Sequence, residues 1–345
     1  MTLPQTVRAY RSNREGYRKL QLTEGPLEQP KAMEVLVKVH SVSLNYRDIV
    51  IARGLYPGPA IKDNVIPCSD MAGEIVALGT DVEGWEVGAR VSANFSLTHL
   101  DGDPSAKTRA NALGAPIDGV LREYMTVPVH SLVRLPANLS YDEASTLPCA
   151  ALTAWNALVG LKPIKAGDYV LLLGTGGVSI FGLQLAVVSG ATAIVTSSSD
   201  EKLEFAKRLG AHHTINYNKT KNWDEEVLRI TGGRGVDHVI EVGGAGTIAR
   251  SANSARHAGC VDLIGFVAEG ANQIPVETVI SKALIFRGVL IGSVAQFEAM
   301  NRLIEARDIH PIVDKVFPFE EAIDAYAYLD SQKHVGKVVI RVSKN

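Results

Sequence analysis

Residues 170–182, VLLLGTGGVSIFG, narrow the possible folds more than any other stretch: apolar strand residues break into a glycine-dense turn and resume as an apolar helix. A dinucleotide pocket begins this way. Gly174 and Gly176 permit the tight turn and let the backbone approach a pyrophosphate, while the N–H groups that open the helix face the phosphate charge. Read as G-x-G-x-x-G, the third glycine place holds Ser179, with Gly177 and Gly182 beside that register, so the bare motif is weak. Its context strengthens it: a strand over 169–173, a helix over about 177–189, Gly190 as a stop and a strand over 192–197 form a βαβ unit. The alternative is that the glycines serve only a tight strand-to-helix turn.

The nucleotide is indicated about twenty residues further on. An NAD site usually ends its second strand there with Asp or Glu, which holds the adenosine ribose hydroxyls. This chain has Ser197, Ser198 and Ser199, and Lys202 lies one helical turn beyond. Hydroxyls donate to a 2′-phosphate where a carboxylate would repel it, and the lysine supplies charge, so NADP(H) is favoured over NAD. The same SSSDEKL also reads as an ordinary helix start, with serine caps and acidic first-turn residues. Both readings hold together.

The 345 residues carry a formal charge of −2, with no block of Lys and Arg that would mark a nucleic-acid partner. No run of eighteen apolar residues exists and the N-terminus has no apolar signal core, so the expectation is a cytoplasmic protein with no membrane partner and a small-molecule substrate. Cys68, Cys149 and Cys260 read as small buried residues rather than a disulfide framework. Up to about residue 135, strand-like segments such as EVLVKVHSVSL and GEIVALG alternate with turns, as in an antiparallel β domain. From 141 a helical segment, DEASTLPCAALTAWNALVG, leads into strands at 169–173, 192–197, 213–216, 236–241 and 260–265 with helices between them, which implies a parallel sheet covered on both faces. Two helices and a closing strand, KVVIRV, follow, and the strand is expected to rejoin the first domain. Residues 96–118 read as a flexible loop. The boundaries are therefore 1–140, 141–290 and 291–345.

Five segments together resemble the medium-chain dehydrogenase/reductase superfamily along nearly the whole chain: SLNYRDIVIARGLYPG at 43–58, DMAGEIVALG at 70–79, LPCAALTAWNAL at 147–158, LGTGGVSIFGLQLA at 173–186 and the terminal GKVVIRV. The resemblance implies an α/β fold, with a Rossmann doubly wound parallel sheet at 141–290. It also implies a GroES-like β-rich catalytic domain at 1–140, completed by 291–345, with substrate in the cleft between the two and a homodimeric assembly. Gly174, Thr175, Gly176, Gly177 and Val178 would touch the pyrophosphate, and Ser197, Ser198, Lys202 and Tyr217 the 2′-phosphate. Thr153 would lean on the nicotinamide side, Phe266 and Ser293 would border the nicotinamide, and Lys337 would lie near the cofactor phosphates or ribose. Asn45 would meet the nicotinamide ribose or the substrate oxygen. Tyr46, then Tyr56, are candidate donors to that oxygen, the alternative for either being a ring packed in the cleft wall. Arg47 and Asp48 read as structural.

The departures from the superfamily's zinc alcohol dehydrogenases bear on chemistry. Where those enzymes place a first cysteine ligand this chain has Asn45, and at their His-Glu pair it has Ser69 and Asp70. Cys149 stands alone, and the structural-zinc lobe, matching 94–116, contains no cysteine. His212 and His213 are adjacent, and His99, His130 and His257 are isolated, so no metal is expected. Without a Lewis acid, alcohol oxidation becomes harder, while hydride delivery to a quinone or to the β-carbon of an α,β-unsaturated carbonyl stays easy. The chain thus resembles the zinc-free quinone oxidoreductase and enone reductase branch. Two alternatives remain: a zinc-independent alcohol or carbonyl dehydrogenase, or trans-acting enoyl reductase, on a secondary metabolite; and a non-catalytic NADPH-binding sensor or structural protein.

Overall fold

The computed structural model describes residues 3–266 and 273–343. They form two compact units, one of residues 1–152 with 291–345 and the other of 153–290.

The 153–290 unit is built on six parallel strands. Across the sheet they run His213–Asn216, Thr192–Ser197, Tyr169–Leu173, Val236–Glu241, Ala255–Leu263 and Ile285–Gly288. Chain order reverses between Tyr169–Leu173 and Val236–Glu241, which is the switch point where doubly wound sheets bind ligands. Strand sequences such as YVLLL and TAIVTS are almost continuously apolar because helices cover both faces, and Leu171, Ile194, Val239 and Val261 are fully buried. Four strands lie where the apolar runs place them, and the fifth, expected over 260–265, runs over Ala255–Leu263. The sixth, IFRG, lies partly exposed at the sheet edge, its two apolar residues followed at once by Arg287 and Gly288.

The other unit is a mainly antiparallel sheet in the order Val313–Pro318, Lys337–Arg341, Glu34–Leu44, Asp70–Leu78, Arg90–Ala93 and Leu132–Arg134, with Tyr124–Pro128 also pairing Glu34–Leu44. Val313–Pro318 departs from the antiparallel expectation: it pairs Lys337–Arg341 in parallel, which the crossover helix Ala322–Asp330 between them makes possible. The closing strand does rejoin this unit, and the register that pairs Val338 with Leu44 brings Lys337 beside Asn45. Its core gathers Val37, Val39, Leu44, Ile49, Met71, Phe319 and Tyr326.

Two local expectations change. The helix expected from 141 onward is broken into Tyr141–Ala144, a wide π-type turn at Leu147–Ala151, Leu152–Trp155 and a second wide turn at Asn156–Gly160. Pro148 sits in the first wide turn, where its missing N–H removes a rung of an ordinary helix. The 96–118 stretch holds the short helix Ala106–Ala110 and is tied back by Leu97 N–H to Asn111 O (3.0 Å), Leu113 N–H to Phe95 O (3.0 Å) and Ser96 Oγ to Thr108 O (2.7 Å). All three cysteines are free and buried. Among the described residues no helix is long and apolar enough to cross a membrane.

Candidate active site

In the nucleotide-type unit the strand Tyr169–Leu173 ends at Gly174, whose φ of +75° an L side chain would resist. Gly176 precedes the twelve-residue helix Gly177–Val188, which has no acidic residue in its first turn, so its free N–H groups and dipole present positive potential. A Cβ on either Gly174 or Gly176 would meet no protein atom within 4 Å, so the surface beside the turn is open to a ligand. The odd register of the motif has a structural reason. Gly182, not residue 179, makes the close helix–strand approach, because a Cβ there would lie 2.6 Å from Leu172 Cδ2. Ser179 instead donates its hydroxyl to Leu173 O at 2.6 Å, tying helix to strand.

The serine turn lies at the end of the neighbouring strand. Ser197 is buried there, its Oγ accepting the Ser199 N–H at 3.4 Å, while Ser198 is exposed. Ser199 caps the helix Asp200–Arg208 by accepting the Lys202 N–H, and Tyr217, 38% exposed, joins this corner through its N–H to Ser197 O at 3.1 Å. The nearest carboxylate, Asp200, is taken up by Lys219 at 2.6 Å and Asn216 at 2.7 Å, which hold its pKa below the ordinary value. Phe266 is half exposed beside Gly244, and Thr153 is buried with its hydroxyl unpartnered. Glu241, which the sequence did not single out, is fully buried at a strand end and accepts from the Gly243 and Gly244 N–H groups and from Thr247 and Ser251. It shapes the turn that precedes the helix Ile248–Ser254.

In the other unit the strand Glu34–Leu44 ends at Asn45 and the helix Tyr46–Ala52 begins. The Asp48 carboxylate accepts the Asn45 N–H at 2.7 Å, closing the helix start. Lys337 Nζ donates to Leu44 O and to Asn45 Oδ1, both at 2.6 Å, with the lysine 3% exposed. An ammonium only donates, so the amide oxygen of Asn45 must face it, and the buried Nδ2 is turned to the Asp70 carboxyl, which the Asn45 side chain helps to keep ionised against burial. Asp70 accepts from Ser69 Oγ at 2.6 Å and from the Cys149 N–H at 3.0 Å. Burial raises Asp70 above the usual carboxylate range and pushes Asp48 up to about 6, against the pull of Lys337 on both and of Arg47 on Asp48. Burial also drives the Cys149 thiol well above its ordinary value.

The remaining sequence candidates divide. Tyr46 is 36% exposed on the first turn of its helix. Tyr56 lies under the buried Arg47 guanidinium, 5.1 Å from the ring centroid, and Arg47 itself donates to Leu113 O and Ala115 O. Ser293 caps the helix Val294–Ala306: its hydroxyl accepts the Gln296 N–H at 3.2 Å and its own N–H goes to Gln296 Oε1 at 3.0 Å. His99, His130 and His212 are bound to the backbone at Gly102, Leu97 and Ala193.

Two family models match the chain, one on each side of residue 153. Residues 31–137 match the alcohol dehydrogenase GroES-like domain and 177–306 the zinc-binding dehydrogenase model. A zinc-type alcohol dehydrogenase-like protein of Schizosaccharomyces pombe is 50% identical over 315 residues, 90% of this chain and 91% of the relative. The chain is a medium-chain dehydrogenase/reductase. Solved structures similar to it include a crystal structure described as an alcohol dehydrogenase from Sinorhizobium meliloti, with TM-score 0.91, 36% identity and coverage of 99% and 100%. They also include a 2-octenoyl-CoA carboxylase reductase solved with NADP and 2-octenoyl-CoA, with TM-score 0.87, 25% identity and coverage of 99% and 88%. The protein is thus an oxidoreductase of a family that binds nicotinamide cofactors and includes enoyl reductases, with the Rossmann and GroES-like parts that the sequence implied.

Zinc, which the family's name implies, does not fit the residues that stand at its catalytic ligand places. Asn45 spends its only acceptor oxygen on Lys337, both Asp70 oxygens are engaged, and the ammonium beside them would repel a dication. One other group among the described residues, His238, Cys260 and Asp262, brings donor atoms within 4.8 Å of one another, but there Asp262 already faces the Arg287 guanidinium at 3.8 Å.

Proposed function

We propose that the protein is a zinc-independent, NADPH-dependent reductase of a quinone or an α,β-unsaturated carbonyl compound. The observation that carries this is the Lys337 ammonium on Asn45, a buried cation among the positions where a zinc enzyme of the superfamily would hold its metal. Such a site lacks the Lewis acid that localises charge on an alcohol oxygen. It retains hydrogen-bond donors, the Asn45 amide and the hydroxyl of the partly exposed Tyr46. Held through its pyrophosphate at the glycine turn, a reduced nicotinamide dinucleotide would supply a hydride. An enone that accepts it at the β-carbon becomes an enolate whose oxygen needs donors, and a proton at the α-carbon completes the product. Asn45 and Tyr46 serve that oxygen, and Tyr46 or water returns the proton.

NADPH is favoured over NADH by the serine corner, with Ser197, Ser198, Lys202 and Tyr217 as 2′-phosphate contacts, and by the pairing of Asp200 with Lys219, which removes the nearest negative charge. Ser197→Asp tests this: it should weaken NADPH binding at least about 10-fold and leave NADH binding within about threefold, read by fluorescence titration. Equal loss for both nucleotides would contradict the assignment. A second reading, oxidation of an alcohol, draws support from the alcohol dehydrogenase names of the yeast relative and the Sinorhizobium structure. It predicts turnover of NADP⁺ with a secondary alcohol faster than turnover of NADPH with an enone.

A further inference from the structure

The turns that follow the strands Val236–Glu241 and Ala255–Leu263 are tied together by one residue. The fully buried Glu241 accepts on Oε1 from the Gly243 N–H at 2.7 Å, the Gly244 N–H at 2.9 Å and Thr247 Oγ1 at 2.7 Å, and on Oε2 from Ser251 Oγ. Its backbone carbonyl accepts the Ile264 and Gly265 N–H groups at 2.9 and 3.2 Å. The two turns touch through bare backbone: a Cβ on Gly265 would lie 2.2 Å from Val242 O, and one on Gly244, whose φ is +84°, 3.0 Å from Phe266 Cα. A displacement of Glu241 therefore moves both turns at once. Their outer surface is open, with Gly246 and Phe266 exposed and Val242, Gly243 and Thr247 half-buried.

Strand register sets these turns beside the glycine turn. Tyr169–Leu173 pairs Val236–Glu241 on one side, with Ile240 opposite Leu172, and Thr192–Ser197 on the other, with Thr196 opposite Leu173. A dinucleotide whose pyrophosphate sits at the glycine turn and whose adenosine end reaches Ser197 carries its nicotinamide end the other way, across the ends of Val236–Glu241 and Ala255–Leu263. We propose that Glu241 is a positioning residue for the nicotinamide half of the cofactor: its carboxylate fixes the 242–247 and 264–266 turns as the surface on which that half rests. Four donors on one buried acceptor make the arrangement costly to displace. A misplacement of the ring by about 1 Å lowers the rate of hydride transfer on the order of 100-fold. This inference deepens the NADPH-dependent reductase reading and rests on it.

Glu241→Ala and Glu241→Gln in the full-length protein test it, with NADPH and adenosine 2′,5′-bisphosphate as ligands. Gln keeps one oxygen for the Gly243, Gly244 and Thr247 donors and an amide N–H for Ser251 Oγ, whereas Ala keeps none of the four bonds. Glu241→Ala is expected to weaken NADPH binding about 10-fold or more, while adenosine 2′,5′-bisphosphate, which has no nicotinamide, binds within about twofold of wild type. The fluorescence of the bound nicotinamide should shift toward that of free NADPH, and kcat with cyclohexenone at saturating NADPH should fall about 10- to 100-fold. Glu241→Gln should stay within about threefold of wild type in each measurement. Thr247→Val, which removes one donor at a half-buried position, should give the same selective loss at about threefold, and carries the test if Glu241→Ala does not fold. Equal weakening of both ligands would reduce Glu241 to a structural residue and overturn the inference. So would NADPH binding and turnover unaltered in Glu241→Ala or, where that variant does not fold, in Thr247→Val, or a Glu241→Gln protein as impaired as Glu241→Ala. Those outcomes, in a wild-type protein that binds both ligands, overturn this inference alone, whereas a wild-type protein that binds neither overturns the underlying reading with it.

Discussion

Asn45 illustrates how a residue's chemistry is set by what its neighbour can offer. Its amide could face either way, and the two orientations differ by which end meets Lys337; only the oxygen can accept from an ammonium. The same pocket leaves a titration signature at Asp48. Arg47 at 4.0 Å, the Asn45 N–H, Lys337 and Asp70 all face this carboxyl, and burial wins, pushing it up to about 6 from 3.8. A carboxyl raised on folding binds its proton more tightly in the native state, so native stability falls as pH rises from about 4 to about 6. Asp70, also raised by burial, acts in the same direction. Asp48→Asn should therefore flatten the dependence of stability on pH across that window, measured by urea unfolding at a series of pH values; a slope equal to wild type would show that Asp48 is not raised.

At the scale of elements, the glycine turn separates ligand effects from folding effects. Gly176 has an ordinary negative φ and open space where a Cβ would stand, so Gly176→Ala should leave stability within about 0.5 kcal/mol. If a pyrophosphate packs there, the same change should weaken NADPH binding about 10-fold or more; unaltered binding would place the cofactor elsewhere. Gly182 is the converse. There a Cβ meets Leu172 in the core, and Gly182→Val should cost about 1–3 kcal/mol. For Gly182→Ala, the gain of about 1 kcal/mol in helix propensity offsets much of the shift. Thermal unfolding distinguishes the pair. Strand, turn and helix at 169–188 were legible because apolar periodicity and glycine act locally. The break at Pro148 was visible only as a proline within a helical pattern, and IFRG was hidden because its two apolar residues give way at once to Arg287 and Gly288.

Across the whole molecule, the candidate site depends on contacts that no local pattern carries. Lys337 meets Asn45 over a separation of 292 residues, because the closing strand pairs antiparallel with Glu34–Leu44. The sequence points to both residues, the lysine through the family resemblance that places it near the cofactor, but does not show that the two meet. That Asn45 and Ser69 stand where the superfamily's zinc enzymes have Cys and His was readable directly, because residue type needs no fold. What occupies their place came only from the fold.

The most direct measurement of the central claim is the oxidation of NADPH by the chelator-treated protein, with an enone, a quinone and a simple ketone offered in parallel and NADH as the comparison nucleotide. The account predicts reduction of the enone or the quinone that chelation leaves unchanged, faster with NADPH than with NADH, and little turnover of the ketone. Ketone reduction that is lost on chelation and regained with zinc would contradict it.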